Sequence, residues 1–205
     1  MFPPVCVGCG RIALAGRELC LRCRDEAGRD AGRPMLPAGI DAIACGPLVA
    51  PPTRELVHGL KYQGHRRAAV DLVEIARPAL VDGFCPDGSV LVPVPLHPHR
   101  RRERGYNQSE LLAGQWGRIL SRKVEPAFLE RVVDTSTQTK LGADARRANL
   151  EGAFRPGKAF RKDIAVVLVD DVLTTGSTLS ACAAALLAAG SPSVRAICVL
   201  WAGEA

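Results

Sequence analysis

Apolar residues follow two rhythms along this chain. The run "DIAVVLVD", Asp163 to Asp170, is apolar without interruption, which predicts a central strand covered on both faces. "SVLVPVPL", Ser89 to Leu96, is short, Val-rich and bounded by turn residues, and predicts a second strand. "IDAIACGPLV" and "VRAICVLWA" predict two more, at Ile40–Val49 and Val194–Ala202. Helical spacing appears in "TRELVHGLKYQ", where Leu56, Val57 and Leu60 share a face and Thr53 is placed to cap the N-terminus. "RRAAVDLVEIARPALVDG" repeats the pattern but is weakened by Pro78. "NQSELLAGQWGRIL" is amphipathic and opens on Asn107, a good N-cap. "STLSACAAALLAAG" predicts a helix closed by Gly190, with Pro192 just beyond. Strands alternating with helices predict an α/β fold with a mostly parallel sheet. "HPHRRRERGY", His97 to Tyr106, is too charged to be a core element and reads as a basic loop.

The chain has 205 residues, enough for one good-sized domain and a small accessory module. Residues 1–28 form a cysteine module, 29–39 a linker rich in Gly, Pro and Arg, and 40–205 the main domain. The formal net charge of +6 suits an anionic ligand without choosing between a nucleotide and a nucleic acid. "MFPPVCVGCG" has no basic start followed by an apolar run, and no stretch approaches the roughly 20 apolar residues of a membrane span. These features predict a cytoplasmic protein without membrane insertion.

Four of the eight cysteines fall in two CxxC pairs, Cys6 with Cys9 and Cys20 with Cys23. Four thiolates so spaced can close a tetrahedron around Zn2+, with bonds of about 2.3 Å. The module is too small to bury a core, so a structural metal would supply its folding energy. Disulfides are disfavoured in a cytosolic chain. A redox CxxC is disfavoured because it should precede a helix in a larger fold. Cys45, Cys85, Cys182 and Cys198 stand singly and read as small buried residues or an inert loop thiol.

The chemistry concentrates in "VVLVDDVLTTGSTL", Val166 to Leu179. Ligands of parallel sheets bind beyond the carboxyl ends of the strands, where Asp170 and Asp171 fall. Two carboxylates can accept from the two vicinal hydroxyls of a ribose. Thr174, Thr175, Gly176, Ser177 and Thr178 then lead into a helix start, whose free N–H groups and partial positive charge suit a phosphate. A P-loop ATPase would also end a strand in Asp, but the chain lacks its glycine–lysine motif. A receiver domain would place its acidic pair near the start of the domain. A ribose 5-phosphate satisfies both halves of the pattern.

This segment resembles the motif that binds phosphoribosyl pyrophosphate (PRPP) in type I phosphoribosyltransferases. "LVPVPLHPHRRRERGYNQSELLA", "QTKLGADARRANLEGAF" and the N-terminal cysteine pairs are similar to segments of the ComF family of competence-associated proteins. The resemblance implies a type I phosphoribosyltransferase fold with a zinc ribbon, PRPP as ligand with Mg2+, and a role in natural transformation or DNA handling. It implies Asp170 and Asp171 at the reacting centre. It sets Arg104, Gly105 and Asn107 near pyrophosphate, and Lys140, Arg146 and Arg147 on a loop that closes over the site. Lys61 is a further candidate PRPP ligand or else a surface lysine laid along apolar neighbours. No acceptor pocket is legible. The competing reading is a non-catalytic PRPP sensor, or a binder of single-stranded DNA that works alongside DNA-processing proteins. Tyr62, Tyr106, Trp116 and Trp201 are the only Tyr and Trp residues, so such binding would lean on phosphates rather than on stacking.

Overall fold

The computed structural model describes residues 4–28, 34–133, 150 and 152–203. In chain order its helices and strands are α1 (Leu21–Ala27), β1 (Ile43–Cys45), α2 (Thr53–Tyr62), α3 (Ala68–Ala76), β2 (Val90–Pro93), α4 (Pro98–Arg104), α5 (Gln108–Leu120), β3 (Leu129–Arg131), β4 (Phe154–Pro156), β5 (Val166–Leu173), α6 (Ser177–Ala188) and β6 (Val194–Trp201). β1, β6, β5 and β2 form a parallel sheet in that order, and β3 pairs antiparallel with β4.

The apolar run in β5 shows why the sheet needs cover on both sides. Side chains alternate across a strand. Val167 and Val169 therefore join the cluster built by α2, α3 and α5, while Val166 and Leu168 join the one built by α6 and the β3–β4 pair. All four are essentially inaccessible. Each such side chain contributes about 1.5–3 kcal/mol relative to remaining exposed. α6, apolar on most of its surface, presents Leu179, Cys182, Ala183 and Leu186 to the sheet at i, i+3, i+4, i+7 spacing.

Several local expectations need correction. Thr53 does not cap α2: Pro52 holds that position, and the Thr53 hydroxyl donates to the Ala50 carbonyl at 2.7 Å. The basic segment after β2 is a helix rather than a loop. Pro98 opens α4, the His97 ring accepts from the His99 N–H at 3.4 Å, and Gly105 closes the helix at φ 78°. None of its residues is buried, so it stays outside the core as its charge requires. The helix over α3 ends at Ala76, and Pro78 lies in a 3-10 turn, Arg77–Ala79. β5 runs past the acidic pair to Leu173, which pairs with Trp201, so Asp170 and Asp171 lie within the last four residues of the strand rather than beyond it.

The cysteine module packs onto α2 and α3. Cys6, Leu19 and Cys23 share a core cluster with Leu56, Leu60 and Leu72. A Cβ on Gly8 would lie 2.6 Å from Pro52 Cβ, so only glycine fits where the module meets the start of α2. Asp71, fully buried on α3, accepts from the N–H groups of Glu18 at 2.7 Å and Leu19 at 3.3 Å. Glu74, one turn on, takes Arg17 at 2.5 Å and Arg24 at 2.8 Å. Among the described residues, no helix is long and apolar enough to cross a membrane.

Candidate functional site

The acidic pair is fixed from two sides. The Asp170 carboxylate accepts from the Ser109 hydroxyl at 3.0 Å and from the Asp171 N–H at 2.9 Å. Ser109 is held in turn by Asn107, which caps α5 by accepting from the Ser109 N–H at 3.0 Å. The Asn107 amide donates to the Val94 carbonyl at 3.0 Å, tying the segment after β2 to the start of α5. Asn107 is buried, with both side-chain groups engaged within the protein. Burial, reinforced by the neighbouring Asp171 charge, pushes the Asp170 carboxyl up to about 7.

Asp171 is buried as well. Its Oδ1 accepts from its neighbour's N–H, that of Val172, at 2.7 Å and takes the Lys61 ammonium at 2.9 Å. Its Oδ2 is buried without a partner. Buried polar atoms are almost always paired, so an orphaned carboxylate oxygen marks a place where a donor is expected. Burial opposes the Lys61 charge, but Asp171 outweighs it and holds that ammonium above its ordinary pKa.

Beyond β5 the chain turns through the hydroxyl run. Thr174 and Thr175 are exposed, and Ser177 and Thr178 half-buried. Gly176 is the N-cap of α6 at φ 75° and has no side chain to offer it, while the Thr175 hydroxyl accepts from the Ser177 N–H at 3.4 Å. The N-cap brings no side chain to the first turn of α6, and helix starts of this kind suit an anion. The Thr175 and Ser177 hydroxyls lie 2.8 Å apart. The glycine is needed for a reason the sequence does not show: a Cβ there would lie 2.7 Å from Cγ of Pro37, in the linker.

Arg104 donates to the Gln108 side chain and lies over the Tyr62 ring, 5.6 Å from its centroid. Lys61, Tyr62, Arg100, Arg104 and Tyr106 line a cleft of about 180 Å³. The structure thereby brings Lys61 and Arg104 together, with Lys61 also reaching Asp171. Gly105 is exposed at the end of α4. Lys140, Arg146 and Arg147 lie outside the described residues. Sequence reasoning passed over Ser109, whose place in the first turn after an N-cap is the one local signal it offers. It reaches Tyr62 only as a residue for base stacking, and nothing local ties that ring to Arg104.

In the cysteine module, the sulfurs of Cys6, Cys9, Cys20 and Cys23 all lie within 4.8 Å of one another. Cys9 and Cys20 are 3.7 Å apart, against about 3.8 Å between ligands of a tetrahedron with 2.3 Å bonds. All four are free thiols, so the pairs form no disulfide. Burial raises the Cys6 thiol pKa, but the N–H groups of Cys20, Gly8 and Cys9 outweigh it and lower it to about 7. This donor set can hold a metal.

Comparison with known proteins fits this arrangement. The phosphoribosyl transferase domain family matches residues 115–205. DNA utilization protein YhgH of Escherichia coli (strain K12) is 33% identical over 216 residues, covering 95% of this chain and 89% of that protein. Competence protein F of Haemophilus influenzae is 43% identical over 95 residues, 44% of this chain and 40% of the relative. Competence protein ComFC of Bacillus subtilis is 34% identical over 101 residues, 49% of this chain and 39% of the relative.

Proposed function

Since the chain belongs to the ComF family of phosphoribosyltransferase-like proteins, we propose that it binds PRPP at the end of β5 and transfers the phosphoribosyl group to an acceptor. The observation that carries this reading is the orphaned Oδ2 of Asp171, on the strand that leads through the hydroxyl turn into a helix with glycine at its N-cap. A ribose hydroxyl donates to that oxygen. Asp170, steadied by Ser109, accepts from the vicinal hydroxyl. The 5-phosphate sits on the turn from Thr174 to Thr178, on the N–H groups of α6. Pyrophosphate extends toward Lys61, Arg104 and Gly105, which meet at one cleft or at its edge.

In the transfer the C1–O bond breaks, its electron pair leaves on pyrophosphate, and the acceptor's lone pair forms the new bond to C1. Negative charge grows on the leaving group, and the fixed cations Lys61 and Arg104 stabilise it. Mg2+ carried in with PRPP would neutralise pyrophosphate oxygens; on the protein side, the unpartnered Asp171 Oδ2 is an oxygen donor of the kind this ion takes. The cysteine cluster is assigned a structural Zn2+, because four sulfurs fill its coordination sphere.

Isothermal titration with PRPP and Mg2+ tests the reading. Replacing Asp170 and Asp171 together by Ala removes two acceptors, which costs on the order of 2–4 kcal/mol, or roughly 30- to 1000-fold in affinity. Unaltered PRPP affinity in the double variant would make the acidic pair a structural relic. A pyrophosphate-release screen across nucleobases then separates transfer from binding alone. A second reading, a binder of single-stranded DNA on the same fold, is favoured by the exposed arginines of α4 and by the DNA utilization name of the relatives.

A further inference from the structure

Lys61 belongs to α2, on the face of the sheet opposite α6, yet its ammonium ends 2.9 Å from the Asp171 carboxylate. The two side chains are 22% and 6% exposed. A pair so far out of water gives up much of its attraction to desolvation, and an apolar pair would hold α2 to the sheet as well. What an apolar pair would not do is set the charge of the site. Asp170 and Asp171 are neighbours at the end of one strand, and a phosphate-bearing sugar brings more negative charge to the same place. Left bare, the two carboxylates would repel such a ligand, and a divalent cation would be needed to bring them together. Lys61 matches one of the carboxylates from within the chain. It does so at Oδ1 and leaves Oδ2 open as an acceptor. Asp170 is matched differently, by the Ser109 hydroxyl and a backbone N–H, with burial favouring its protonated form. The unliganded site therefore offers acceptors for hydroxyls with little net negative charge.

The geometry points to Lys61 as a resident cation: at Asp171 it does what a divalent ion would otherwise have to do, so the sugar 5-phosphate half of the ligand binds without metal. Divalent ion is then needed only where pyrophosphate is present. This inference rests on the ribose-phosphate reading of the site and names how that site achieves charge balance.

Ribose 5-phosphate is the probe, because it carries the ribose and the phosphate without the pyrophosphate. Its affinity is measured by titration calorimetry on the full chain in two buffers. One contains millimolar Mg2+; the other has been freed of divalent ions by passage over a chelating resin, so that no soluble chelator competes for the cysteine-bound metal. Wild type is expected to bind equally in both, within about threefold. Lys61→Ala is expected to lose about ten- to a hundredfold in the metal-free buffer and to recover most of it with Mg2+. Lys61→Arg, which keeps the charge, stays metal-independent. A merely structural ion pair predicts something else: Lys61→Ala would lose the same factor in both buffers, and that result overturns the proposal. So does a wild type that needs Mg2+ as much as the variant does. Should Lys61→Ala not fold, Lys61→Met keeps the stem against its apolar neighbours and gives the same comparison. Failure of wild type to bind ribose 5-phosphate in either buffer overturns the ribose-phosphate reading itself and this inference with it.

Discussion

Asp170 is the residue whose surroundings conflict most with its ionised form. Its folded pKa of about 7 lies well above the roughly 3.9 of an unfolded aspartate, through burial and then the Asp171 charge. The folded chain therefore holds this proton more tightly than the unfolded one. The stability this confers is complete below about pH 4 and is lost as pH rises through about 7. Across that window the decline is on the order of a few kcal/mol. Asp170→Asn keeps an oxygen to accept from Ser109 and from the Asp171 N–H, but it cannot ionise. Its melting temperature should match that of wild type near pH 4, rise above it through pH 7, and hold a constant lead beyond. Parallel thermal-melt profiles for the two proteins from pH 4 to 8 would show that Asp170 titrates as an ordinary carboxylate.

Among the elements, α2 links the cysteine module to the acidic pair. The cysteine module touches its start, where Pro52 meets Gly8, and the chain three residues past its end, where Glu18 lies 3.9 Å from His65. The last turn of α2 carries Lys61 to Asp171. If the cysteine cluster holds the proposed Zn2+, removing it should loosen this helix before the sheet. Hydrogen exchange should rise in Thr53–Tyr62 while β5 and β6 stay protected, and ribose 5-phosphate affinity should fall with it. Exchange confined to residues 4–28 would mean that the module is an independent appendage.

Sequence reading reaches these elements unevenly. The run of valines in β5, the acidic pair and the hydroxyl turn are contiguous, so both their structure and their candidate ligand were legible. α5 was legible because Asn107 announces it and its apolar face is regular. α4 was hidden: it has seven residues and no apolar face, and its caps rather than its core side define it. The β3–β4 pair was hidden because each strand has three residues, too few for an alternation to register. The contacts that complete the site join distant parts of the chain. Lys61 meets Asp171, Ser109 meets Asp170, and Pro37 meets Gly176. No periodicity encodes such meetings; they follow only once the parallel sheet has set α2, α5 and the linker around the end of β5.

For the molecule as a whole, the net charge of +6 is distributed unevenly, and α4 is its densest exposed concentration. Arg100, Arg101, Arg102 and Arg104 fall within five residues and differ in their contacts, although Arg100 lines the same cleft as Arg104. Arg104 turns inward to Gln108 and the Tyr62 ring, beside Lys61. Arg101 is tied to Glu110 through both terminal guanidinium nitrogens, Nη2 at 3.0 Å. Arg100 lies 3.9 Å from Glu103. If single-stranded DNA binds this face, its phosphates meet cations that are partly matched already, so three arginines count for between one and three phosphate contacts. Changing Arg100, Arg101 and Arg102 together to Ala should then flatten the log–log salt dependence of single-stranded DNA binding by about 0.7 to 2. The loss should be equal for all base sequences, because guanidinium–phosphate contacts carry no sequence information. Ribose 5-phosphate affinity should be unchanged, since none of the three reaches the acidic pair. Fluorescence anisotropy with oligonucleotides across a salt series reads the slope. An unaltered slope removes α4 from any DNA surface, and a slope change that comes with lost ribose 5-phosphate binding shows that the helix serves the sugar site instead.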